Sequence, residues 1–223
     1  MPNYVTNVIT FQNKNDFEKI VKKYESKENL FDFNKVIPMP AELNLPEGSI
    51  SEDAIKYYNK HKNDKTDEYK KVKTINPNIL SNEESKILKQ YNVSNLYDLG
   101  KLYEDNLKNY GARSWYDWCI QNWGTKWNAV DTTLDYDNKK IIFQTAWNIP
   151  QGILDELSKQ NSAIPFEVDS QNEDFSLDGL HQEYENGEIS DSYNIDDEEE
   201  QERIFYAFDE SALDNEDEEE DER

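Results

Sequence analysis

Period-two alternation on both sides of one short turn constrains this chain more than any other feature. Val130, Thr132, Leu134 and Tyr136 alternate with Asp131, Thr133 and Asp135. Beyond Asp137-Asn138-Lys139-Lys140, the residues Ile141, Phe143, Thr145 and Trp147 alternate with Ile142, Gln144 and Ala146. Successive side chains of a strand point to opposite faces, so the pattern predicts a β-hairpin with one buried face. A chain built on such a hairpin needs further strands beside it and helices above it, because two strands alone are marginal in water. Alternation also places Asp131 and Asp135 on the solvent face, where pairing with Lys139 and Lys140 across the turn explains them more simply than a hard-cation site.

The flanks supply those partners. Tyr4-Val-Thr-Asn-Val-Ile-Thr-Phe11 is rich in β-branched residues and predicts a first strand. Asn15 with Glu18 resembles a helix N-cap pair, and Phe17, Ile20, Val21 and Tyr24 follow at helical spacing. Phe31 to Pro40 is apolar, and its prolines point to an extended segment over the core. Helices are expected near Ser51, after the Ser81–Glu84 capping box, from Ser94 to Tyr110 with Gly111 as its stop, and from Ser114 to Gly124. Residues 31–125 thus read as a largely helical insertion. After the hairpin come a helix opened by Pro150, a strand with Ile164, Phe166 and Val168 alternating, and a second hairpin at Asn186-Gly187. The order without the insertion is β-α-β-β-α-β. This predicts an α+β, ferredoxin-like antiparallel sheet with a large helical insertion after the first helix and an acidic C-terminal extension. The topology implies no iron–sulfur cluster, which needs about four cysteines where this chain has Cys119 alone.

Four stretches resemble the YubB-type ferredoxin-like family of phage and plasmid proteins over residues 1 to about 190. They are Met1-Pro2-Asn3-Tyr4 with Asn7, Val36-Ile37-Pro38-Met39-Pro40, the block from Trp115-Tyr116-Asp117-Trp118 through Asn122-Trp123-Gly124-Thr125-Lys126-Trp127-Asn128-Ala129, and Thr145-Ala146-Trp147-Asn148-Ile149-Pro150. The resemblance implies a fold and a mobile-element origin, and it carries over no catalytic residue. The expected organisation is a domain over residues 1–195 with its insertion at about 31–125, then an acidic, partly disordered extension over 196–223.

Charge divides the chain. Of 48 acidic residues 25 lie after residue 164, against two of the 24 basic ones. That asymmetry marks an acidic appendage on a near-neutral domain, and it disfavours direct binding to nucleic acid or anionic membrane. No apolar run approaches the roughly 18 residues of a membrane span, no signal pattern opens the chain, and a single cysteine excludes an internal disulfide. A reducing host cytoplasm is the expected compartment.

Motifs for chemistry are absent. There is no Gly-x-Ser-x-Gly, phosphate loop, His-Glu-x-x-His or Cys-x-x-Cys. Cys119 sits between Trp118 and Ile120, where a buried thiol is expected, and His181 in its acidic hairpin reads as solvated. Trp115, Tyr116, Trp118, Trp123 and Trp127 could stack bases, but Arg113 and Lys126 are too few cations to track a backbone, so the block reads as core. The chain is therefore expected to be non-enzymatic, with no catalytic residue, cofactor or metal.

The acids after residue 165 read either as a solubilising tail or as a mimic of nucleic-acid phosphates on a basic nucleic-acid-binding host protein. Carboxylates on strands have fixed spacing, which favours mimicry for Glu183, Glu185, Glu188 and Asp191, as for Glu167 and Asp169. The run Asp196, Asp197, Glu198, Glu199, Glu200 and the later run Glu216, Asp217, Glu218, Glu219, Glu220 add charge. Phe205 and Phe208 are candidate anchors for a partner. The alternatives are a nucleic-acid-binding or enzymatic module using the tryptophan-rich region, and a plain scaffold with a solubilising tail.

Overall fold

A computed structural model describes residues 3–66, 74–75, 80, 82–176 and 178–207. The chain forms two compact units, one made of residues 1–38 and 120–223, the other of residues 39–119.

The first unit is built on a six-stranded antiparallel sheet. Its strands are β1 (Tyr4–Phe11), β2 (Val130–Asp135), β3 (Lys140–Ala146), β4 (Phe166–Asn172), β5 (Gly179–Glu185) and β6 (Glu188–Ile195). They lie in the order β2-β3-β1-β4-β5-β6. The hairpin that organises the sequence is therefore not the middle of the sheet. β2 is an edge strand, and β1, flanked by β3 and β4, is the buried strand. β4 is longer than the alternation predicts, because the polar Ser170, Gln171 and Asn172 remain in register with β1. The second turn forms as expected, with Asn186 and Gly187 both at positive φ (54° and 89°).

One sheet face is apolar and carries helices. Val5, Ile9, Phe11, Ile141, Phe143, Phe166 and Val168 share it by register and are buried. Helix α1 (Lys14–Tyr24) covers part of it with Phe17, Ile20, Val21 and Tyr24. Its cap is Asn13, whose side chain accepts from the Asp16 amide at 3.0 Å, rather than the Asn15–Glu18 pair. The Asn13 amide and the Lys19 ammonium also hold the Asp16 carboxyl below its ordinary range. The segment 31–40 is not simply extended: Asp32 caps a four-residue helix α2 (Phe33–Val36) that ends before the prolines take effect. Phe31 and Phe33 meet Phe143 with ring centres 5.2 and 5.8 Å apart, and they form the centre of the core.

The block Trp123 to Asn128 ties this unit together. Trp123 Nε1 donates to the Ile37 carbonyl at 2.9 Å, and Thr125 Oγ1 donates to the Ala146 carbonyl at 2.8 Å. Asn128 accepts from the Phe33 amide and donates to Asp32, both at 2.8 Å. Gly124 turns the chain at φ 86°. These contacts make the block structural, as large aromatics in a small core usually are. The helix after β3, here α7 (Gln151–Gln160), joins α1 through Tyr24, whose hydroxyl donates to Gln160 Oε1 and accepts from Asn161.

The second unit contains α3 (Ser49–His61), α4 (Asn82–Gln90) and α5 (Leu96–Tyr110) around Leu45, Ala54, Leu88, Leu99 and Tyr103. Ser81 of the expected capping box lies outside the described residues. Asn95 caps α5, Gly111 ends it in the left-handed conformation, and its buried face runs through Tyr97, Leu99, Gly100, Tyr103 and Asn106. Leu107, four residues after Tyr103 and so on the same stripe by helical spacing, is nevertheless exposed. α6 (Trp115–Trp123) closes the helical stretch.

Cys119 is buried beside Met39, with its sulfur 3.9 Å from the thioether. Desolvation pushes the thiol from 9.0 to about 12. Because the folded pKa is the higher one, the contribution is whole below about pH 9 and is lost as pH rises toward 12. The expected result is that a thiol reagent at pH 8 fails to label the native chain and labels it once in denaturant.

Candidate functional site

The other sheet face is polar at one end, and the chain's last helix lies on it. Asp197 caps α8 (Glu198–Phe205), accepting from the Glu200 amide at 2.9 Å. Ile204 is buried against Val8, Ile142 and Ile195, and the Gln201 amide donates to the Ile195 carbonyl at 2.6 Å. The acidic extension expected from residue 196, partly disordered as a whole, begins as an ordered helix with an apolar foot. Composition hid it, because four of its eight residues are glutamate. Glu198, Glu199 and Glu200 occupy its first turn, where carboxylates oppose the helix dipole.

The acids on the strands are different. Register places Glu167 opposite Glu183, and Glu183 opposite Asp191, so three carboxylates run in one row across β4, β5 and β6. Adjacent strands are about 4.8 Å apart, and like charges directly opposite each other destabilise a sheet. The nearest basic residue in the row is Lys140, separated from Glu167 by Thr10. That separation is two strand spacings, roughly 10 Å. Negative charge on an edge strand commonly blocks edge-to-edge pairing, which accounts for Glu188 and Asp191 on β6. It does not account for Glu167 and Glu183, which lie on interior strands.

The neighbouring row is Asp169, His181 and Tyr193. His181 is buried rather than solvated. Its Nδ1 is 2.6 Å from Asp169 Oδ1, its Nε2 is 3.8 Å from Glu183 Oε1, and its ring stacks on Tyr193 at 4.6 Å. The sequence hid this because Asp169 is twelve residues away. The Tyr193 phenol is raised above its ordinary value, first by desolvation and then by the charges of Asp169, Glu200, Glu183 and Asp191. Glu200 thus brings the charge of α8 to the carboxylate row. Among the described residues no three His, Cys, Asp or Glu side chains are grouped to hold a metal.

Of the other residues singled out, Glu185 and Glu188 face each other beside the β5–β6 turn, and Asp196 is exposed just ahead of α8. Phe205 is half-buried, meeting Phe175 edge-on at 5.4 Å and Tyr206 at 5.1 Å. Phe208 and the run Glu216, Asp217, Glu218, Glu219, Glu220 lie outside the described residues. Arg113 is paired with Glu104 at 3.0 Å. Asp135 stands opposite Lys140 in the register of the hairpin, as the alternation predicts. It accepts from the Asn138 amide and side chain at 2.8 Å, closing the turn locally. Asp131 sits in a β-bulge at φ 47°, which takes it out of the cross-strand pattern. Among the described residues no helix is long and apolar enough to cross a membrane.

Residues 122–221 match the family model described as "Ferredoxin-like domain in Api92-like protein". The match starts within α6, takes in β2 to β6, and continues past Asp196 into the acidic end. No curated protein matches the chain. Among solved structures, the crystal structure of a protein api92 from Yersinia pseudotuberculosis aligns with 12% identity and a TM-score of 0.46, covering 88% of this chain and 99% of that one. The matched model fits an α+β, antiparallel, ferredoxin-like domain; it carries the Api92-like name and not the YubB one.

Proposed function

We propose that the chain is a non-enzymatic interaction protein whose acidic face takes the place of nucleic-acid phosphates on a basic nucleic-acid-binding protein. The observation that carries this reading is the Glu167–Glu183–Asp191 row. A sheet gains nothing from three adjacent carboxylates, so a stability cost on interior strands calls for a use outside the fold. Duplex DNA presents one charge per roughly 1.7 Å of axis, and a protein that neutralises phosphates with Lys and Arg presents the complementary surface. The row, Asp169, and Glu200 from α8 form a fixed negative patch, and the acid-rich end after residue 207 adds to it in sequence. Fixed charge of one sign steers association and makes it salt-dependent. The resemblance to phage and plasmid proteins supplies a setting in which the partner belongs to a host defence system.

The test is capture from a nuclease-treated bacterial lysate at low and high salt, with the full chain and with a chain truncated after Ala207. Truncation at that point keeps Ile204 and the rest of α8. Retention of a nucleic-acid-binding protein at low salt, with release as salt rises and competition by duplex DNA, is the expected result. If no such protein is retained with that salt sensitivity, the reading fails. If truncation abolishes capture, the surface is the tail and not the sheet.

A further inference from the structure

A cavity of about 600 Å³ opens on the helix-bearing face, where β1 begins and β4 ends. That volume lies within the range of small-molecule sites. Val5 and Ile149 line it, and Trp147 is its one aromatic among the described residues. The remaining lining is amide, hydroxyl and carboxylate: Asn3, Asn148, Ser170, Asn172, Ser176 and Asp178. The carboxylate row is on the opposite face of the sheet, because Val5 and Ser170 share the register of Phe143, whereas Glu167 shares that of Thr10.

Trp147 is the unusual residue. It follows β3 directly, its backbone has φ 70°, and its side chain is 44% exposed. A left-handed conformation costs a bulky residue stability, and exposure of an indole adds to that cost. The conformation is held by the Trp147 amide, which donates to the Asn3 carbonyl at 2.8 Å. The Lys126 ammonium is 4.8 Å from the centre of the Trp147 ring and 4.6 Å from that of Trp127, which fixes the indole. A strained, oriented, half-exposed tryptophan at the rim of a polar cavity has the properties of a stacking platform.

We propose that this cavity binds a carbohydrate, with one neutral pyranose ring laid on Trp147. Charge selects against the alternatives. Asp178 lines the cavity, and Asp174 beside it is held below its ordinary range by hydrogen bonds from Ser176. The Lys126 ammonium lies over the Trp147 and Trp127 rings and does not line the cavity, so a phosphate inside it would meet negative charge. A flat base gains most from aromatic surface on both of its faces, and only one ring is present. A pyranose has one apolar C–H face for an indole and a rim of hydroxyls that both donate and accept. Asn3, Asn172 and Ser176 are arranged by mutual bonds with Asp174, in which Asn3 Nδ2 donates at 2.7 Å. Asn148 and Asp178 have no side-chain partner among the described residues and are open to a ligand's hydroxyls.

Calorimetric titration of the full chain with maltotriose, cellotriose and tri-N-acetylchitotriose tests this, with adenosine as the flat neutral comparator. Saturable binding of at least one trisaccharide is expected, weakened about tenfold or more by Trp147→Ala. Trp147→Gly provides the check on folding. Glycine adopts a positive φ without strain, so that variant should keep or raise the melting temperature while losing the sugar. Binding of none of the three sugars, binding of adenosine alone, or sugar binding that survives Trp147→Gly would each overturn the proposal. The capture experiment reads the opposite face of the sheet, so either proposal can fail without the other.

Discussion

Replacing Phe143 with alanine is expected to cost about 3–5 kcal/mol of stability. Phe143 is fully buried in the middle of β3, opposite Asn7 of β1. Its ring touches Phe31 and Phe33, Phe33 touches Trp123 at 5.7 Å, and Phe31 touches Tyr24 at 6.4 Å. Removing it leaves a cavity whose walls are held by other contacts. Trp123 is bonded to Ile37, Asn128 fixes the Phe33 amide, and Tyr24 is bonded at its hydroxyl. Walls held in this way collapse little, which puts the cost toward the upper end. For a chain of this length each kcal/mol lowers the melting temperature by roughly 2–4 °C, so a loss of about 10 °C is expected in a thermal melt. A loss under a few degrees would show that the aromatic cluster is not the core.

Gly152→Ala should destabilise as well, against the ordinary direction. Within a helix, alanine is better than glycine by roughly 0.5–1 kcal/mol. Gly152 lies in α7, where a Cβ atom would stand 2.0 Å from the Asn122 carbonyl oxygen and 2.9 Å from its carbon. Those are backbone atoms and cannot rotate away. The helix must shift, which strains the Trp123–Asn128 block on one side and the start of α7 on the other. Overpacking costs of about 1–3 kcal/mol outweigh the helix gain. Urea unfolding gives the sign directly. A midpoint above the wild type's would show that the two segments do not approach this closely.

Local structure is written in neighbouring residues of this chain, and packing between distant ones is not. The strands β1 and β3, the face of α1 and the Asn186–Gly187 turn were legible because each is written in neighbouring residues: a period of two, a helical spacing, a turn dipeptide. α2 was hidden by the prolines that follow it, and α8 by its glutamates, although Asp197 as cap and Ile204 as apolar foot are both present in the sequence. Gly152 looked like an ordinary helical glycine, since nothing nearby records Asn122 thirty residues earlier. The acidic strands were legible as acidic. That Glu167, Glu183 and Asp191 form one row depends on the register of three strands, and the bulge between Glu183 and Tyr184 helps set it. The cavity at Trp147 was the least legible, assembled from residues as distant as Asn3 and Asp178.

The measurement that bears most directly on the acidic face compares the wild type with the combined Glu167→Gln, Glu183→Gln and Asp191→Asn variant, in a thermal melt at low salt and in capture from the same lysate. Relief of like-charge contacts is worth about 1 kcal/mol at such exposed positions, a rise of a few degrees. The variant is predicted to melt above the wild type and to lose the salt-sensitive capture of a nucleic-acid-binding protein. A variant that melts lower, or that captures the same protein as strongly, would contradict the assignment of this row as the interaction surface.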